Sequence, residues 1–192
     1  MIDINVFRDE GPVIIGRGTP IAVENFNMKN AAAYATAYYP TGETVGAPLI
    51  RPLLNGEQTL SFKVYTFFVL SGTYGWIKNL RFRVSLETAA DTGVNAQLFY
   101  RNTNVYATPD NAFDGNMMLL ANTDGAPVST LIYPMLSTVG PNSATSRQVA
   151  YNNVSPLYTN YFVTQLRINK GSFAGNTPEM KIKLEATEYY EV

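Results

Sequence analysis

The sequence contains neither cysteine nor histidine. Disulfide cross-links, thiolate nucleophiles, imidazole general bases and the usual zinc ligand sets are thereby excluded. Charge is scarce too. Asp, Glu, Lys and Arg make up 15% of the chain, against roughly 25% in an average soluble domain. Fourteen basic and fifteen acidic residues leave a net charge of −1, and they are scattered. The densest basic cluster, Lys78-Asn-Leu-Arg81-Phe-Arg83, falls in an alternating segment where outward charges belong. With no phosphate-neutralising patch, nucleic acid is not an expected partner. No apolar run approaches the ~20 residues that span a bilayer, so no membrane partner is expected either. Residues 1–10 carry charge where a signal peptide would place its apolar stretch. The chain reads as a soluble protein made in the cytoplasm.

What is present is 46% hydrophobic residues, with thirteen tyrosines and one tryptophan among 192 residues. That suits one domain with an extension. The thinly charged surface, rich in Asn, Thr, Ser and Tyr, is better suited to being covered by neighbours than to standing alone.

Period-two alternation recurs along the chain. In residues 160–169, Phe162, Thr164, Leu166 and Ile168 oppose Val163, Gln165, Arg167 and Asn169. In residues 180–187, Met180, Ile182, Leu184 and Ala186 oppose Lys181, Lys183, Glu185 and Thr187. A Gly/Asn/Pro-rich connector joins the two runs, so a long antiparallel hairpin is predicted there. Leu60, Phe62 and Val64 alternate with Ser61, Lys63 and Tyr65. Leu80, Phe82, Val84 and Leu86 alternate with Asn79, Arg81, Arg83 and Ser85. Residues 31–39, Ala-rich with Tyr34 and Tyr38 at helical spacing, are read as strand because the run is short and ends at Pro40. The pattern predicts about seven to nine short strands with turns roughly 8–15 residues apart and no helix. This is an all-β, antiparallel β-sandwich, jelly-roll-like, over residues 31–192, with an up-and-down barrel as the alternative.

Residues 1–30 differ. Gly11, Pro12, Gly16 and Gly18 interrupt short apolar pieces, which predicts an extended N-terminal arm, with an edge strand of the same domain as the alternative. Ile14, Ile15, Ile21, Val23 and Phe26 are too many large apolar side chains for a solvated tail. Burying three of them against a neighbour would contribute on the order of 5 kcal/mol, before ordering costs.

Candidate chemical sites are few. Asp110, Asp114 and Asn116 beside Gly115 could offer oxygen ligands to calcium, but the spacing departs from the EF-hand loop, and a solvated Asx turn is the expected reading. Two carboxylates can hydrolyse a glycoside, but nothing brings two of Glu87, Asp91, Asp110 and Asp114 to one cleft. No catalytic, cofactor-binding or metal-binding residue is predicted, and the chain is expected not to be an enzyme. Exposed aromatics are the richer signal: Tyr38, Tyr39, Tyr65, Tyr74, Trp76, Tyr158 and Tyr161 fit core lining or a protein interface, with a sugar platform as the alternative.

Several stretches resemble small structural proteins of tailed-bacteriophage virions. They are Tyr38-Tyr-Pro40 before a Gly-rich loop, Phe68-Val-Leu-Ser-Gly72-Thr-Tyr-Gly-Trp76-Ile-Lys-Asn79, Tyr106-Ala-Thr-Pro109, and Leu157-Tyr-Thr-Asn-Tyr161-Phe-Val-Thr-Gln165-Leu-Arg-Ile168. Gly175-Asn-Thr and a tail ending Tyr190-Glu191 complete the likeness, which covers residues 36–192. The resemblance implies a non-enzymatic virion component, first a capsid decoration (cement) protein, with a neck, tail or baseplate component as the alternative. It implies a homo-oligomer such as a trimer, the major capsid protein or other virion subunits as partners, and location in the virion. The residues expected to bind partners are Ile14, Ile15, Ile21, Val23 and Phe26 of the arm, with Tyr38, Tyr39, Tyr74 and Trp76. A carbohydrate- or receptor-binding module using Tyr74 and Trp76 is the remaining alternative.

Overall fold

The computed structural model describes residues 2–9, 21–22, 58–72, 76–86, 95–107, 110, 112–122, 132–145, 156–169, 171–172 and 180–189. Among them every regular element is a β-strand, apart from one 3-10 turn at Pro141–Ser143. In chain order the strands are β1 (Ile2–Asp9), β2 (Ile21–Ala22), β3 (Thr59–Leu60), β4 (Val64–Gly72), β5 (Trp76–Leu86), β6 (Ala96–Thr103), β7 (Met118–Asn122), β8 (Leu136–Ser137), β9 (Leu157–Thr159), β10 (Tyr161–Ile168) and β11 (Met180–Tyr189). Every strand pairing is antiparallel. The all-β, antiparallel expectation holds.

β10 is the hub. It pairs with β6 along its whole length and with β4 and β3 on its other edge. Its sequence explains why. Phe162, Leu166 and Ile168 enter one hydrophobic cluster, while Tyr161 and Val163 enter another on the opposite face. A strand apolar on both faces is stable only where both faces are covered. The main sheet runs β2-β1-β4-β10-β6-β7, with β9 continuing the line of β10 beside β4 and pairing in turn with β8.

The predicted C-terminal hairpin is not formed. β11 leaves the main sheet and pairs with β5 in a second, two-stranded sheet. The two strands share a pattern of apolar and charged positions, and their register sets Glu185 opposite Arg81. Their side chains bond there, Arg81 Nε donating to Glu185 Oε2 at 2.9 Å. β11 is therefore matched to an outer layer, whereas β10 has no polar face to give to water.

The predicted arm is also corrected over part of its length. β1 pairs residue by residue with β4, from Ile2 opposite Gly72 to Asp9 opposite Tyr65, and β2 folds back onto β1. Val6 packs against the core between the sheets, and Phe7 stacks on Phe67 at 5.7 Å. These residues are strands of the chain's own main sheet. The remaining residues of 1–30 lie outside the described ones.

The two sheets share a core. Phe68, Leu98, Tyr100, Phe162 and Leu166 of the large sheet meet Phe82 of β5, with Leu184 of β11 packed against them. Phe82 is fully buried, with the Phe162 ring at 5.1 Å and the Phe68 ring at 5.2 Å. A third cluster, Leu70, Ile77, Leu80, Leu136 and Leu157, extends this core. Ile77 and Leu80 are three positions apart, so a regular strand could not turn both inward. A β-bulge resolves the conflict: Arg81 pairs with Glu185 and Lys78 with Thr187, leaving Asn79 and Leu80 to face Ala186. Asn79 takes the left-handed conformation, at φ 54°, which asparagine tolerates better than other side chains.

A second irregularity lies between β3 and β4. Ser61, Lys63 and Tyr65, expected on an outward face, are all buried. Ser61, Phe62 and Lys63 together face Gln165 and Leu166, because the pairing runs from Leu60 opposite Arg167 to Val64 opposite Thr164. The ladder is repaired by side chains: Ser61 Oγ accepts from Leu166 N–H at 2.9 Å, and the Ser61 N–H donates to the Leu166 carbonyl at 2.8 Å.

Candidate functional site

The outer face of the large sheet is not open. Residues 104–107 and 112–117 lie over it, inserting Tyr106 and Met117 among Tyr65, Phe67, Tyr161 and Val163. Tyr65 meets Tyr106 edge-on at 5.0 Å and Tyr161 at 5.7 Å. Burial pushes the Tyr65 phenol above its ordinary pKa, with Arg101 pulling the other way. Tyr65 and Tyr161, read as exposed aromatics from the sequence, are therefore core residues, and Tyr158 is half-buried. Their burial follows from an overlying segment that strand alternation does not reveal.

Charged groups pin that segment. Lys63, nearly buried, reaches Asp110 at 2.7 Å, and its backbone N–H donates to the Asp110 carbonyl at 2.9 Å. Arg101 of β6 pairs with Asp114. The other oxygen of Asp114 accepts from the Asn116 backbone N–H at 2.9 Å and from its side-chain amide at 3.1 Å. The Asn116 N–H, followed by the Arg101 charge, holds the Asp114 carboxyl below the usual aspartate range. This is the Asx turn expected from the sequence. Asp110 and Asp114 face separate cations, and no cluster of three or more acidic groups suited to a metal occurs among the described residues.

Beside this segment lies an apolar edge. β7 reads Met-Leu-Leu-Ala-Asn, without a charge, and pairs with β6 on one side. No described residue pairs with its other side. Met118 is opposite Tyr100, of the inter-sheet core, and Leu119 is opposite Phe99, of the outer face. The two side chains thus flank the strand on opposite faces, 57% and 43% exposed. Half-exposed Phe113 extends the outer patch, meeting Phe99 edge-on at 5.1 Å. The Arg167 guanidinium lies 4.6 Å from the Phe99 ring centre and donates from Nε to Gln97 at 3.0 Å. Natural sheets protect open edges with charge, proline or short strands. β7 is short, but it carries no charge.

A second surface feature is a groove of about 630 Å3 near β1, β5 and β11. Ile4, Leu184 and Ala186 give it apolar surface, and exposed Tyr133 adds an aromatic ring. Asn79, Thr187 and the Arg81–Glu185 pair supply its polar groups.

Of the residues expected to bind partners, Ile14, Ile15, Val23, Phe26, Tyr38, Tyr39 and Tyr74 lie outside the described residues. Ile21 pairs with Arg8 in the large sheet, and Trp76 opens β5 opposite Tyr189 in the small one. They belong to different sheets. Glu87 and Asp91 also lie outside the described residues. Sequence reasoning passed over Met118, Leu119, Phe113 and Tyr133; the uncharged run Met117-Met-Leu-Leu-Ala121 was the available signal.

No helix among the described residues is long and apolar enough to cross a membrane. No protein-family model, curated protein or solved structure matches the chain.

Proposed function

We propose that the protein is a non-enzymatic structural component of a tailed-phage virion, a capsid decoration protein by preference, which assembles with copies of itself and with neighbouring virion subunits. The observation that carries the assembly part is the β7 edge. A strand added there would satisfy its backbone groups and cover Met118 on one face and Leu119 on the other. The low charge of the chain and the segment tied across the outer face support a protein built to hold shape against neighbours. The phage assignment rests on the sequence resemblance.

Light scattering on the purified protein tests self-assembly. A homo-oligomer at micromolar concentration is expected, with Met118→Lys and Leu119→Lys lowering the mass to the monomer without shifting the melting temperature. Co-sedimentation with phage particles lacking their decoration protein tests the virion assignment. A monomer at all concentrations that leaves the particles unlabelled would reject the reading.

A further inference from the structure

We propose that the groove lined by Ile4, Asn79, Arg81, Tyr133, Glu185 and Thr187 binds a neutral saccharide. This site is separate from the β7 edge and does not rest on the virion reading.

The groove's size comes first. About 630 Å3 lies within the range of small-ligand sites. Its wall chemistry narrows the class. A sugar ring has an apolar face of C–H groups and a rim of hydroxyls that both donate and accept. Tyr133, 55% exposed, offers a ring with an apolar body and a polar tip. Ile4 is 41% exposed at the same groove. An isolated monomer gains nothing by leaving both in water beside a concave surface.

Polar groups then match the hydroxyl rim. Arg81 and Glu185 are bonded at 2.9 Å, with about a third of each side chain exposed (35% and 32%). A joined guanidinium and carboxylate presents donors and acceptors side by side, which adjacent sugar hydroxyls can bridge. Thr187 adds an exposed hydroxyl and Asn79 an exposed amide. Asn79 sits there because the bulge puts it in the left-handed conformation, and bulges commonly re-aim a side chain at a site.

Charge excludes the competing ligands. The one Arg and the one Glu among the described lining residues pair with each other. Among the described lining residues, phosphate, sulfated glycan or an acidic peptide would find no surplus cation, and a basic peptide no surplus carboxylate. Glycoside hydrolysis uses two carboxyl groups, whereas Glu185 is the one carboxylate among the described lining residues. The groove is a binding site rather than a hydrolytic one.

The test is an NMR titration of the full chain with cello-, chito-, malto- and galacto-oligosaccharides, and with a sialylated and a sulfated glycan as anionic controls. A neutral oligosaccharide is expected to bind and to move the amide signals of Ile4, Asn79 and Thr187. Tyr133→Ala should weaken binding by about tenfold or more, equivalent to losing one good contact, with an unchanged melting temperature. Thr187→Val is the second variant, expected to weaken binding by about threefold if Tyr133→Ala fails to fold. No binding by any neutral glycan, tighter binding of the anionic controls, or shifts confined to residues outside the groove would overturn the proposal. Loss of oligomerisation in the β7 variants with sugar binding retained would separate this site from the assembly surface.

Discussion

The Gln165 side-chain amide donates to the Ser61 carbonyl at 2.9 Å, across 104 positions of sequence. The same nitrogen reaches the Ala112 carbonyl at 3.3 Å. One fully buried amide thus ties the central strand, the β3–β4 irregularity and the covering segment together. Gln165→Leu would fill the space but leave both carbonyls without this donor. A loss of about 1–3 kcal/mol is expected, read as a lower urea midpoint with an unchanged m-value. An unchanged midpoint would mean that water replaces the amide.

Asn79 supports a second prediction. At φ 54°, Asn79→Gly should be neutral or slightly stabilising. Asn79→Ala, and more so Asn79→Val, should cost about 1–2 kcal/mol, because a β-carbon disfavours the left-handed conformation. Chemical denaturation of the three variants orders them. If all three are equal, the bulge has moved.

At low pH the Asp114 turn should weaken. Its folded pKa is depressed, chiefly by the Asn116 N–H and then by Arg101, so the stability it contributes is complete above the unfolded value of 3.8. That contribution is lost as pH falls through the folded pKa. Asp114→Asn should be less stable at neutral pH and should show a shallower decline of melting temperature below about pH 4. Parallel acid curves for the two proteins would contradict this account.

At high pH the sign reverses. Burial raises the folded pKa of Tyr65 above the ordinary tyrosine value of 10.0, so the folded state resists ionisation while the unfolded state accepts it. Stability is complete below about pH 10 and falls as pH rises through the folded pKa. Burial raises Tyr100 in the same direction. Tyr65→Phe should flatten part of the alkaline decline in melting temperature. Ultraviolet titration should show one fewer late-ionising phenol.

The fold class was legible because alternation is a local property. Phe162, Leu166 and Ile168 do share a face, as their spacing indicated, and Leu80 and Phe82 do point inward. Partner choice was not legible, because it depends on which edge is free. β10 and β11 are neighbours in sequence, yet one needs cover on both faces and the other only on one. For residues 2–9 the alternative to the arm, a strand of the same domain, is what forms, in keeping with Ile2, Ile4 and Val6 alternating with Asp3, Asn5 and Phe7; the glycines that favour an arm come only after it. Tyr65 and Tyr161 were misjudged for another reason, since their burial depends on a segment about forty to sixty residues away in sequence. The groove joins β1, β5, β11 and Tyr133, and only tertiary structure assembles it.

The placement of β10 has a consequence for how the chain acquires its shape. Thr66 bonds to the Phe162 carbonyl across 96 positions and Phe68 to Thr159 across 91. During synthesis β4 and β6 emerge long before the strand that joins them, so each waits with unpaired backbone. Such high contact order places folding in the slow, millisecond-to-second class, and the waiting edges are open to wrong partners in other nascent chains. Completion of the large sheet is thus an event of late translation, and a chain truncated before residue 161 would lack the strand that makes two half-sheets into one.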